Sequence, residues 1–180
     1  MRVNEPRTLP EIVAALDRVA TEIVDWFETL PEGEFLRGDD QHWSPAHHLG
    51  HLTTSHVRVG RALRSPAALP ARDPAPSRTF AEIRALYADG LPRIPREKLL
   101  ANPVPPRLPA DPTRARVLAD YAAAAAGTRA ATATWADAEL ETRALPPPFL
   151  GPLSVREMLC FMAIHDRHHL DGVRAGFSSR

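Results

Sequence analysis

Hydrophobic and polar positions alternate along this chain with the period of a helix. In TLPEIVAALDRVATEIVDWFETLPE, Ile12, Leu16, Val19, Ile23, Phe27 and Leu30 recur every three or four residues, which lays one apolar stripe along a helix. Thr8 followed by Glu11 reads as a capping box, and Pro31 stops the helix. A second helix opens at WSPAHHLGHL. Ser44 can cap its free N–H groups and Pro45 suits its first position, where a missing N–H costs nothing. Leu49, Leu52, Val59 and Leu63 mark its buried side. The third runs through TRARVLADYAAAAAGTRAATATWADAEL with Val117, Tyr121, Ala124, Ala131 and Trp135 on one stripe. The fourth starts at LSVREML, where Ser154 and Glu157 form a capping box and Leu153 and Met158 a hydrophobic staple.

Between the second and third helices the pattern breaks. RSPAALPARDPAPSR and ANPVPPRLPADP are crowded with proline, which removes hydrogen-bond donors and interrupts helix and strand alike. TFAEIRALYADG between them predicts a short helix, opened by Thr79 and closed at Gly90. No segment alternates convincingly like a strand. The expected fold is therefore all-α, a four-helix bundle with a long proline-rich crossover over residues 65–112 and a short extra helix. Such a crossover lets the second and third helices run parallel. LPPPFLGPL reads as a stiff loop before the fourth helix.

Composition narrows the function. At 180 residues the chain suits one domain, spanning 1–180. Its 22 basic and 22 acidic side chains cancel, which argues against a nucleic-acid or anionic-membrane partner. No apolar run approaches the ~20 residues of a bilayer span, and MRVNEPRTLPEIV lacks the features of a secretory signal. The lone Cys160 excludes an internal disulfide framework and fits a reducing compartment. A cytoplasmic location is the expectation.

Chemistry concentrates in histidines. FMAIHDRHHLDGV carries His165, His168 and His169 on the fourth helix. At ~100° per residue, His165 and His169 fall within about 40° of each other, in the sector of Met158, Met162 and Val173, and so point into the core. His168 lies roughly 100° away, toward the boundary. Two inward imidazoles one turn apart offer two ligands to one metal, although a buried histidine is often only a hydrogen-bonded core residue. A site needs a third ligand, and the second helix region offers His42, His47, His48, His51 and His56. Periodicity does not choose cleanly among them. His48 and His56 lie nearest the leucine stripe, His51 sits on its flank, and the pattern slightly favours His48.

HWSPAHHLGHL, followed by LSVREMLCFMAIHDRHHLDGV, resembles the DinB-like (DinB/YfiT) superfamily of metal-dependent four-helix-bundle proteins. The likeness covers helices one, two and four in order; the proline-rich middle matches nothing specific. It implies His51, His165 and His169 as ligands of one divalent metal. His48 stands where the family usually has an apolar residue, which suggests contact with a ligand rather than with the metal. Three neutral imidazoles leave an ion such as zinc or nickel with open positions, the mark of a catalytic site. Relatives of this kind include thiol S-transferases that use bacillithiol, mycothiol or glutathione, so the resemblance implies a transferase acting on a small electrophile. A metal-dependent hydrolase and a non-catalytic metal-binding stress or interaction module are the alternatives.

Other polar residues have plainer readings. Cys160 falls opposite the His165/His169 face and reads as packing. Asp166 and Asp171 read as solvated rather than as groups that orient a ligand histidine, Glu157 as a cap, Trp43 as a hydrophobic lid on the helix start rather than a substrate platform, and Arg167 and Arg174 as exposed rather than as binders of an anionic substrate. YAAAAAGTRAATATW reads as close packing on small residues, a possible contact of a homodimer.

Overall fold

A computed structural model describes residues 5–39, 42–73, 75–95, 106–145 and 150–178. The long helices are α1 (Leu9–Glu28), α3 (Pro45–Leu63), α5 (Arg114–Thr132) and α6 (Val155–Ser178), joined by the shorter α2 (Glu32–Leu36) and α4 (Phe80–Gly90). The starts follow local chemistry. Thr8, Ser44, Thr79 and Thr113 each accept a hydrogen bond from a first-turn N–H through the side chain. At Ser44 the reciprocal partner is His47, whose Nδ1 lies 2.7 Å from Ser44 Oγ.

Polar contacts between helices give the directions. Arg129 of α5 pairs with Asp17 of α1 at 2.6 Å, and Arg114 at the start of α5 reaches the Leu30 carbonyl beyond the end of α1, so these two helices are antiparallel. Trp135, just past α5, donates from Nε1 to the carbonyl of Leu63 at the end of α3, while Thr128 meets His56 earlier, so α3 and α5 are parallel. Glu22 accepts from Arg167 and Arg174, and Arg156 donates to the Arg7 carbonyl, which sets α1 parallel to α6. The long crossover does what its length allows. Glu22 is held at about 2 by the two guanidiniums that bond it. Arg167 and Arg174, expected to be exposed, are half-buried and engaged within the fold.

Every residue of the α1 stripe is buried, as are Val117, Tyr121, Ala124, Ala131 and Trp135. Three features were not anticipated. Helix α2 inserts Phe35, fully buried, edge-on against Phe27. A two-residue antiparallel pair, β1 (Ala144–Leu145) with β2 (Leu153–Ser154), clamps the entry to α6. It is too short for any alternating pattern to signal. Glu157 does cap Ser154 as expected, and it also accepts two side-chain bonds from Arg78, which ties the crossover to α6. Residues 146–149 of the LPPPFLGPL loop and 101–105 of the second proline-rich stretch lie outside the described residues.

Arg107, in the second half of the crossover, lies directly over α3. A Cβ at Gly50 would stand 2.8 Å from the Arg107 carbonyl oxygen, so only glycine admits this approach. The substitution Gly50→Ala is expected to cost about 1–3 kcal/mol through overpacking, read as a lower urea midpoint. At Gly60 the same test meets Thr128 Cα at 3.3 Å, which explains part of the small-residue run as intrachain packing between α3 and α5.

Candidate metal centre

Helices α3 and α6 are antiparallel, and this brings His51 against His165 and His169. Nε2 of His51 lies 3.0 Å from Nε2 of His165, which lies 3.1 Å from Nε2 of His169. These three ligand atoms lie within 4.8 Å of one another, the one such group found among the described residues, and no carboxylate or thiol belongs to it. His51 and His165 are buried, while His169 is partly exposed.

The donor set fits a small divalent ion. A neutral imidazole carries one N–H and one in-plane lone pair, so three nitrogens facing one another cannot all be satisfied by hydrogen bonds among themselves. One cation satisfies all three. Nitrogens at about 2.0–2.1 Å from a tetrahedral ion stand about 3.3 Å apart. The observed 3.0 and 3.1 Å are near that edge. Burial, followed by the neighbouring imidazoles, pushes the pKa of His165 and of His169 well below the usual histidine value. Both therefore present lone pairs at neutral pH without competition from a proton.

His48 lies outside this trio and touches it from behind. Its Nδ1 is 2.8 Å from Nδ1 of His169, the nitrogen turned away from the other two rings. With His169 offering its Nε2 lone pair to the trio, its Nδ1–H donates to His48. Burial and neighbouring imidazoles lower His48 to about 4, so it remains a neutral acceptor. Trp43 packs its ring 5.3 Å from His51, 5.5 Å from His48 and 6.4 Å from His169, nearly parallel to the last. Expected as a lid on the start of α3, it covers His48 and His51 of that helix and reaches His169 of α6 as well.

Two walls were not foreseen. Phe161 lies one turn before His165 and stacks on it at 5.3 Å, a contact that helical spacing alone makes available. Tyr87 comes from α4 in the crossover, 6.3 Å from His165 and 5.3 Å from the exposed His168. Nothing local in TFAEIRALYADG announces that. Asp166 departs furthest from expectation. Read as solvated, it is fully buried and bonded to His56 and Tyr121. Asp171 keeps the solvated reading, exposed and 3.7 Å from Arg167. Cys160 is 2% exposed, and burial pushes its thiol up to about 12.

The sequence model of the DinB superfamily matches residues 15–171. No curated protein and no solved structure matches the chain. Among the described residues no helix is long and apolar enough to cross a membrane.

Proposed function

The chain belongs to the DinB superfamily, and from that premise we propose that His51, His165 and His169 hold one divalent ion, zinc or nickel, at the centre of a thiol-dependent S-transferase acting on a small electrophile. The convergence of three Nε2 atoms on one point, with no carboxylate or thiol among them, carries this reading. Bound there, the ion supplies an open position and a lowered pKa to a thiol or water.

The chain's own residues account for the rest. His48 accepts from the rear nitrogen of His169 and so holds that ring with its Nε2 forward. Trp43, Phe161 and Tyr87 surround the imidazoles with apolar ring surface, which keeps water from the rings they cover and suits an apolar or aromatic electrophile. Cys160 cannot be the reacting thiol. It is buried and held as the neutral S–H, so the thiol arrives with a cofactor such as bacillithiol, mycothiol or glutathione.

Protein loaded with Zn²⁺ or Ni²⁺ is assayed with each of these thiols against a bimane or chlorinated aromatic electrophile. The expected result is conjugation that requires both thiol and metal and disappears in His51→Ala. Turnover indifferent to metal removal defeats the proposal. Metal binding without turnover across the panel turns the reading to a hydrolase or to a binding module. In the same preparations His48→Ala is expected to weaken metal binding about tenfold, as loss of a residue that orients a ligand does. Equilibrium competition with a chelator checks it.

A further inference from the structure

A second buried polar cluster lies beside the three imidazoles and takes no part in the reaction proposed above. His56 of α3, Tyr121 and Thr128 of α5 and Asp166 of α6 are 2%, 0%, 0% and 0% exposed. The Tyr121 hydroxyl donates to Asp166 Oδ2 at 2.8 Å, and His56 Nε2 donates to the same oxygen at 2.9 Å. His56 Nδ1 lies 3.1 Å from Thr128 Oγ1, and the Thr128 hydroxyl also reaches the His56 carbonyl at 2.9 Å. Three helices are thereby joined through one carboxyl oxygen, beside a core of aliphatic and aromatic side chains.

Stability alone does not explain this cluster. Polar groups taken into a core lose hydration, and well-packed apolar replacements of such clusters are often neutral or stabilising. Asp166 Oδ1 is itself buried without a protein partner among the described residues, an unfavourable feature in a purely structural device. Hydrogen bonds supply what apolar contact lacks, which is a single satisfied alignment. Asp166 directly follows His165, and His56 lies five residues beyond His51, so the cluster grips both ligand-bearing segments. A one-residue slip of α6 would shift it by about 1.5 Å and turn it by about 100°. Metal–ligand distances tolerate only about ±0.2 Å.

We infer that Asp166, with His56, Tyr121 and Thr128, is a positioning device that fixes the rotation and register of α6 against α3 and α5, so that His165 and His169 meet His51. The inference rests on the metal-centre reading above. His165 Nδ1, buried and without a protein partner among the described residues, has no hydrogen bond of its own to orient the ring. Phe161, which stacks on the ring, belongs to the same helix, so the aim of His165 follows where that helix stands.

The test compares wild type with Asp166→Asn, Asp166→Leu and the double variant His56→Leu/Asp166→Leu. Each metal-free protein is melted thermally and titrated with Co²⁺, whose visible spectrum reports coordination geometry. The double variant combined with Tyr121→Phe, so that no buried hydroxyl loses its acceptor, is expected to melt at or above the wild-type temperature, yet to bind Co²⁺ about 10–100-fold more weakly and with an altered band. Asp166→Asn, which keeps the volume, is expected to lose about tenfold and carries the test should the leucine variants not fold. Wild-type affinity and spectrum in folded variants overturn the inference. Metal-free crystals decide independently of any ion. A His51 Nε2 to His165 Nε2 separation clearly wider than 3.0 Å in the folded variant supports it, and an unchanged trio overturns it. Wild type that takes up no Co²⁺ defeats the metal-centre reading, leaving the positioning role to those crystals.

Discussion

Replacing His165 with alanine is expected to abolish tight binding of a divalent metal and most of the stabilisation that comes with it. Its Nε2 stands between the other two, 3.0 Å from His51 and 3.1 Å from His169, so its loss leaves two nitrogens that no longer enclose an ion. Structural zinc sites with four ligands reach about 10–16 kcal/mol, so one ligand is worth about 3 kcal/mol, on the order of a hundredfold in affinity. In the wild type, metal at about a thousand times its Kd should add about 4 kcal/mol to the folded state, a rise in melting temperature of about 8–16 °C for a chain of this length. Differential scanning calorimetry with and without Zn²⁺ measures it. His165→Ala and His51→Ala, about a hundredfold weaker, should each keep only about 1.4 kcal/mol of that stabilisation, a rise of about 3–6 °C, while His48→Ala keeps most of the shift. A metal shift retained in His51→Ala but lost in His48→Ala would show that His48, which the leucine stripe favours, is the ligand.

Metal-free protein should lose stability steeply on mild acidification. Burial holds His165 and His169 well below the usual histidine value and lowers His48 from 6.5 to about 4. Once unfolded, these rings regain the ordinary value and take up protons at a pH where the folded rings do not. Below about 6.5 the unfolded state therefore binds more protons, and stability falls as pH falls, down to about 4 for His48. Each fully shifted group contributes a slope of up to about 1.4 kcal/mol per pH unit. Above that window the contribution is complete and the profile flat. Urea denaturation of chelator-treated protein at about pH 7, 6 and 5 should show the midpoint dropping, most sharply in the last interval. A midpoint constant over this range would mean that the imidazoles are solvated and the trio is not assembled.

Much of this architecture is legible in the chain because it depends on neighbours close in sequence. Thr8, Ser44 and Thr79 start helices by bonding residues three positions on, and the α1 stripe is a one-dimensional pattern that any helix turns into one face. The pairing of His165 with His169 belongs to the same class, since one turn of α6 brings them together whatever surrounds it. The resemblance carried by HWSPAHHLGHL and HDRHH singles out His51, and the structure places its Nε2 beside those of the other two. Reading α3 by itself leaned to His48 for a physical reason. That helix is buried over a wide arc, from Ala46 through His51 and Ser55 to Gly60, because it packs on α5 and α6 together. A leucine stripe marks the centre of such an arc, and His51 lies at its flank, on the side turned to α6.

What the sequence determined alone is local: which segments are helical, where they begin, which faces are apolar, that the crossover is proline-rich and long, and that His165 and His169 share a face. What only the tertiary structure decided is relational. The antiparallel contact of α3 with α6 put His51 on the other two imidazoles and His48 behind His169. The crossover carried Tyr87 to the site and drew its chain over Gly50. Asp166, a charged residue next to an arginine in HDRHH, became a fully buried acceptor for groups 110 and 45 residues away in the chain. A carboxyl group is solvated by default, and only partners brought in by other helices can replace that water. Their arrival depends on packing of the whole bundle, which no local pattern encodes.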